Sequence, residues 1–393
     1  MDLRSAVESG WEHQLELLRA LVRSPSLLGS ERDAQELVAA ELADIGLSPQ
    51  MWDVGSHGPG SSPPLLDYTR RPNVTAIRRG AGRGRSLTFN GHIDVVPVGV
   101  EANWSYDPWG AAIEGGRMYG RGAADMKAGV VAMLGALRAL RNVELGGTLC
   151  VETVIEEECT GNGAAACRAR GPRTDAALIP EPFNHLALEA QVGVLWATVT
   201  VEGRAAHAER ADQADNALVK ALPVIEAIRA LEREVNADAA FYGHPHPLNY
   251  NVGVARAGDW ASSVPEQCVL EVRLAALPGE DLAAVRARFE AAVDARVEWR
   301  GFQADGFTLA REEPLFDVLG RAHTAVHGAP LEFLAFTGTT DARAFVVHDA
   351  TPATCYGPIG GNLHAPDEWV DLESVRATTL VLALAAAEWC AIP

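Results

Sequence analysis

Apolar positions three and four apart through residues 1–45 predict two amphipathic helices, broken at Ser24-Pro25-Ser26. The second is expected to open at Ser30, with Asp33 three residues on as a capping box, and to close at Gly46. Residues 53–72, rich in Gly, Pro and Ser, read as a loop. Beyond them short apolar runs alternate with helical ones: strands over 73–77, 86–90, 148–155 and 175–179, a helix over 125–140 and a short helix after Asn162. Such alternation predicts an α/β sheet wrapped by helices. Met126, Val130, Met133, Leu134, Leu137 and Leu140 share one face of the 125–140 helix, which puts Asp125 at its N-terminus.

From residue 188 the texture changes to strand 188–201, helix 214–235, strands 248–255 and 267–275, helix 280–293 and strand 297–302. This is a β-α-β-β-α-β unit, complete in itself. The last stretch returns to the first pattern, so the expected organisation is a discontinuous domain of residues 1–187 and 308–393 with 188–307 inserted into it. A chain of 393 residues exceeds the size at which one hydrophobic core stops growing, in keeping with two domains.

Charge narrows the partners. The 52 acidic and 33 basic residues give a formal charge of −19, the wrong sign for nucleic acid or an anionic membrane surface, and leave small polar molecules as natural substrates. The six cysteines (150, 159, 167, 268, 355, 390) include no Cys-x-x-Cys pair, as suits a reducing compartment. Met1-Asp2-Leu3-Arg4 opens no basic-plus-apolar leader, and no run approaches the ~18 apolar residues of a membrane span. A cytoplasmic protein is expected.

The chemistry gathers where strands end. Strand 86–90 delivers His92 and Asp94, strand 148–155 delivers Glu156-Glu157-Glu158, and strand 175–179 delivers Glu181; in open α/β sheets, ligands bind beyond such carboxyl ends. Ionised carboxylates brought so close repel unless cations hold them. Together with Asp125 and His364 they form a thiolate-free set that suits zinc, cobalt or manganese, as a pair of ions ~3.5–4 Å apart. Asp125, short and at a helix N-terminus, is the best bridge. Asp94 is expected to take the second ring N–H of His92. Glu157 and Glu158 are adjacent, so one ligates while the other faces the bridging water. Glu158 is assigned to the metal and Glu157 to general acid/base work.

The segments Gly91-His92-Ile93-Asp94, Gly120-Arg121-Gly122-Ala123-Ala124-Asp125-Met126-Lys127, Glu156-Glu157-Glu158, Glu181-Pro182 and His364-Ala365-Pro366-Asp367-Glu368 then carry a resemblance. In this order they resemble the metallohydrolase family of acetylornithine deacetylase, succinyl-diaminopimelate desuccinylase, aminoacylase and glutamate carboxypeptidase. The resemblance implies an α/β zinc-hydrolase catalytic domain with a mixed sheet flanked by helices, plus an inserted ferredoxin-like lid and dimerisation domain. It implies His92, Asp125 and Glu181 on one metal, Asp125, Glu158 and His364 on the other, and Glu157 as general base. It gives His207, in Gly203-Arg204-Ala205-Ala206-His207, the role of stabilising the tetrahedral intermediate across a homodimer. Asn251, Arg273 and the loop Gly357-Pro358-Ile359-Gly360-Gly361 look like substrate contacts, the guanidinium suited to a carboxylate.

The implied reaction is hydrolysis of an N-acyl amino acid. A metallopeptidase, acting as a dipeptidase or glutamate-type carboxypeptidase, is the alternative, and a non-catalytic binding homologue a third reading. Two departures stand out: Glu156 where the family usually has Asp, so that a shift by one would exchange the roles of Glu157 and Glu158, and Ser263 where many members have Asn. His244-Pro245-His246 reads as an exposed turn without a role, Trp104, Tyr106 and Trp109 as loop packing, and Cys159 as buried.

Overall fold

A computed structural model describes residues 2–55 and 60–391; positions 56–59, within the expected 53–72 loop, lie outside the described residues. Helices α1 (Leu3–Val22) and α2 (Arg32–Ile45) open the chain. Asp2 caps α1 by accepting from Ser5 N at 2.9 Å. The capping box at Ser30 does not form: Glu31 precedes α2 without a side-chain cap, because its carboxylate is taken by Arg71. Gly46, left-handed at φ 97°, closes α2 as expected.

The first sheet is mixed and six-stranded: β1 (Gln50–Asp53), β2 (Pro72–Arg78), β6 (Leu149–Val154), β3 (Leu87–His92), β7 (Ala176–Ile179) and β15 (Ala353–Cys355). β6, β3, β7 and β15 run parallel, so their carboxyl ends lie side by side. Their apolar runs are buried along their whole length, as parallel strands covered on both faces must be. Helices α3 (Gly129–Leu140) and α9 (Leu372–Trp389) pack with α1, α7 (Pro314–His327) packs with α9, and α4 (Asn162–Arg170) packs with α8 (Ala342–Val346).

Two expectations need correction. The 125–140 helix begins at Gly129; residues 123–128 form a wide π-type turn in which Asp125 (φ −109°, ψ 98°) and Met126 (φ −124°, ψ 34°) are not helical. Asp125 is therefore not the first residue of a helix. The strand expected over 188–201 is two. β8 (Ala187–Gln191) lies between β13 (Phe307–Thr308) and β14 (Phe333–Phe336), and β9 (Gly193–Glu202) enters another sheet.

That sheet has the order β10 (Asn251–Ala257), β11 (Gln267–Ala276), β9, β12 (Arg296–Ala304), all antiparallel, with α5 (Ala217–Asn236) and α6 (Leu282–Ala292) in the connections. This is the ferredoxin-like arrangement. It has its own core, including Val199, Ile228, Leu270, Val272 and Phe289. A small sheet of β4 (Ala112–Glu114), β5 (Arg117–Tyr119), β17 (Trp369–Asp371) and β16 (Gly360–Gly361) joins the segments that carry Asp125 and His364.

Candidate metal centre

His92 ends β3 with its ring buried. Its Nε2 lies 3.2 Å from Asp125 Oδ1, 3.8 Å from Glu181 Oε1 and 3.9 Å from Glu157 Oε2. His364 arrives on the left-handed loop before β17, its Nε2 3.4 Å from Asp125 Oδ2 and 3.1 Å from Glu158 Oε2. Asp125 thus offers one oxygen to each imidazole. Ligand atoms of His92, Asp125 and Glu181 lie within 4.8 Å of one another, and so do those of Asp125, Glu158 and His364. Donors 2.0–2.1 Å from a tetrahedral zinc stand about 3.3 Å apart, so these separations fit two ions sharing Asp125.

The electrostatics ask for cations. Burial, then neighbouring carboxylates, pushes Glu157 and Glu181 well above the usual carboxylate range. Burial opposes charge on His92 and His364, yet the surrounding carboxylates outweigh it, lifting His92 well above its ordinary value and His364 to about 11. Asp125 is held down because its bonds to the two imidazoles outweigh its burial. A third acid-rich group, His13, Glu41 and Asp44, is already occupied by the Arg138 guanidinium and reads as a surface ion pair.

The acid run has a definite register. Glu156, left-handed at φ 64°, is tied to Arg71 Nη1 at 2.6 Å, Tyr68 OH at 2.7 Å and Thr160 Oγ1 at 2.5 Å, away from the cluster. Glu157 and Glu158 face it. Asp94 meets His92 twice: the ring Nδ1–H is hydrogen-bonded to the main-chain carbonyl of Asp94 at 2.9 Å, with the expected carboxylate 3.7 Å from the same nitrogen, while that carboxylate also accepts from the amides of Glu157 and Glu158 at 3.2 Å each. It shapes the turn that presents the acids. Burial pushes its carboxyl up to about 7.

Sequence reasoning passed over Glu368. Fully buried, it accepts from Gly122 N, Ala124 N and Asp125 N at 3.0 Å each and pairs with Arg121 Nη1 at 2.6 Å. Its place four residues after His364 was the available signal. Asp341 was missed too; burial pushes its carboxyl up to about 6, and its Oδ2 has no hydrogen-bond donor among the described residues.

The remaining expected residues are more dispersed. Arg273 on β11 faces Asn251 on β10 as cross-strand partner, and its guanidinium donates at 2.8 Å to the carbonyls of Asn249 and Thr337, with no carboxylate partner among the described residues. Burial lowers it to about 10. Gly360 packs against the turn of Asp125, where a Cβ would lie 2.6 Å from Ala124 Cβ, whereas a Cβ at Gly361 would lie 2.7 Å from the Trp369 ring. The amides of Ile359 and Gly360 already donate to Ser374 Oγ and Asn184 Oδ1, so those two donors of the expected backbone cradle are occupied. His207 is exposed, its Nδ1 accepting from Glu209 N at 3.2 Å, and contacts none of the cluster. His244 and His246 bond Ala335 O and Glu232, and Cys159 is buried, its thiol pushed up by burial.

A profile described as peptidase family M20/M25/M40 matches residues 88–388. An N-formyl-4-amino-5-aminomethyl-2-methylpyrimidine deformylase of Halalkalibacterium halodurans is 25% identical over 99% of this chain and 97% of its own length. A succinyl-diaminopimelate desuccinylase of Methylobacterium sp. is 30% identical over 92% of this chain and 93% of its own. Among solved structures, a di-peptidase of Saccharomyces cerevisiae superposes with a TM-score of 0.79 at 14% identity, covering 99% of this chain and 98% of that one, a likeness of fold. With three quarters of its sequence inside the family profile and an imidazole–carboxylate cluster where parallel strands end, the chain belongs to peptidase family M20/M25/M40 and is a metal-binding amidohydrolase.

Proposed function

We propose that the protein is a zinc-dependent deacylase that hydrolyses the amide bond of an N-acyl amino acid such as an N-acetyl or N-succinyl amino acid. The carrying observation is Asp125, with one oxygen 3.2 Å from His92 Nε2 and the other 3.4 Å from His364 Nε2. His92, Asp125 and Glu181 would hold one ion, and Asp125, Glu158 and His364 the other. This donor set favours zinc, with cobalt or manganese as substitutes. When bound, such ions polarise the scissile carbonyl and lower the pKa of the attacking water. Glu157, beside His92 but needed by neither trio, takes the proton of that water and returns it to the leaving amine. Asp94 fixes its main chain from behind.

Arg273, without an anionic partner among the described residues, suits the substrate carboxylate, with Asn251 across the ladder. The desuccinylase and deformylase relatives, named for removing acyl groups, support that class. We take residues 188–307 as a lid that joins two copies, which would bring the partner copy's His207 to the site. Leu218, Val219 and Leu222 on α5, exposed at 47%, 59% and 58%, provide an apolar face for it. No helix among the described residues is long and apolar enough to cross a membrane, and all six cysteines are free; we assign the protein to the cytoplasm. A dipeptidase is the second reading, favoured by Asp341 Oδ2, an acceptor without a donor among the described residues, whose charge is felt by Glu157 and Glu181 and could serve a substrate ammonium.

The deciding experiment measures free amine released from N-acetyl, N-succinyl and longer N-acyl amino acids and from dipeptides, by chelator-stripped protein with and without zinc, cobalt or manganese. Metal-restored cleavage of the acyl compounds is expected. Cleavage of dipeptides alone would replace the deacylase reading with the peptidase, and no cleavage at all would overturn both.

A further inference from the structure

We propose that Glu368 is a positioning residue that couples the two halves of the metal centre, holding the turn of Asp125 in its non-helical form and fastening that turn to the loop of His364. The proposal rests on the two-ion reading above.

Asp125 lies only four residues before α3, in a run, Ala123-Ala124-Asp125-Met126-Lys127-Ala128, dominated by good helix formers. Left to local preference, α3 would extend back through Asp125. Such a helix would move the carboxylate out of reach of one of the two imidazoles, since the present φ and ψ of Asp125 place its oxygens between them. One carboxylate opposes that extension directly, at the main-chain amides. Glu368 Oε2 accepts from Gly122 N and Oε1 from Ala124 N and Asp125 N, each at 3.0 Å, while Arg121 balances its charge at 2.6 Å. Three amides converging on one anion is the arrangement that helix N-termini offer to phosphates, filled here by the chain itself.

The other end of the coupling is the His364 loop. Asn362, His364 and Asp367 are all left-handed, a conformation that non-glycine residues keep only when held. Asn362 Nδ2 donates to Asp367 O at 3.0 Å, Asp367 Oδ1 accepts from Ser105 N at 2.7 Å, and Gly120 N donates to Glu368 O at 2.9 Å. The loop therefore cannot shift without pulling Glu368, nor Glu368 without releasing the Asp125 turn. No atom of Glu368 belongs to either ligand trio.

Two measurements test this. Hydrogen exchange on metal-free wild-type protein should find the amides of Gly122, Ala124 and Asp125 protected; rapid exchange there, slowed only when zinc is added, would mean that the ions hold the turn and would overturn the proposal. In Glu368→Gln, whose amide presents one acceptor and two donors to three N–H groups, chelator competition should show both ions bound about 10–100-fold more weakly than in wild type. Its kcat should fall with little change in KM. Wild-type affinity for both ions in the variant would equally overturn it. If Glu368→Gln fails to fold, the exchange result decides alone. Wild-type protein that takes up no zinc removes the two-ion reading, while the exchange result still reports on the turn.

Discussion

Asp125 serves two imidazoles because its backbone is not helical, and the protonation of its neighbours sets how the centre loads. His92 and His364 are both raised in the metal-free protein, His364 to about 11, so each keeps a proton at neutral pH that a cation must displace. Glu157 and Glu181, raised chiefly by burial, add to the same sign. Zinc binding should therefore release protons and strengthen with rising pH, by roughly tenfold per pH unit for each proton displaced. Calorimetry in buffers of differing ionisation enthalpy measures the number; a heat independent of buffer would contradict it. Glu157→Gln should retain both ions and lose about 10²–10⁴ in kcat, and near-normal turnover would remove Glu157 from the chemistry. The residues that cluster were legible because strand ends and spacing advertise them. The atoms were not: at Asp94 the spacing identified the residue, but the carbonyl makes the shorter bond to His92, 2.9 Å against 3.7 Å for the carboxylate, and Glu368 acts on main-chain amides, which leave no mark in a sequence.

Among elements, buried parallel strands were easy to read because their apolar runs are continuous, whereas boundaries set by side-chain bonds from distant segments were not. α2 opens at Arg32, past the expected Ser30 cap, with the Glu31 carboxylate claimed by Arg71, and the strand over 188–201 divides because β8 finds partners near residues 307 and 333. The loop over 53–72 looked featureless, yet it carries Arg71 and Tyr68 to Glu156 and so anchors the turn that displays Glu157 and Glu158. Arg71→Met would leave Glu31 and Glu156 buried without their cation. Denaturant unfolding should show a loss of about 3–5 kcal/mol, with a loss below 1 kcal/mol arguing that water reaches the pair.

At the scale of the molecule, two cores meet through a few polar links, such as Arg273 to the carbonyl of Thr337 and Gln303 N to Ser62 Oγ. The ferredoxin-like unit was legible as a block because its strand–helix order is self-contained. Its outward apolar face on α5 gives a test of assembly: Leu218→Asp with Leu222→Asp should convert a dimer to monomers in sedimentation and depress kcat if His207 acts across the pair. Dimers that persist would place the interface elsewhere. The interruption of the first core by the second also orders events during synthesis. β15, α9 and His364 emerge after the whole inserted unit, so at ribosomal rates of about 5–20 residues per second His92 and Glu181 wait on the order of ten seconds or more for their counterpart. For that interval the nascent chain carries only one of the two clusters, and its sheet lacks an edge strand; on the two-ion reading a second ion would be acquired only after His364 has emerged.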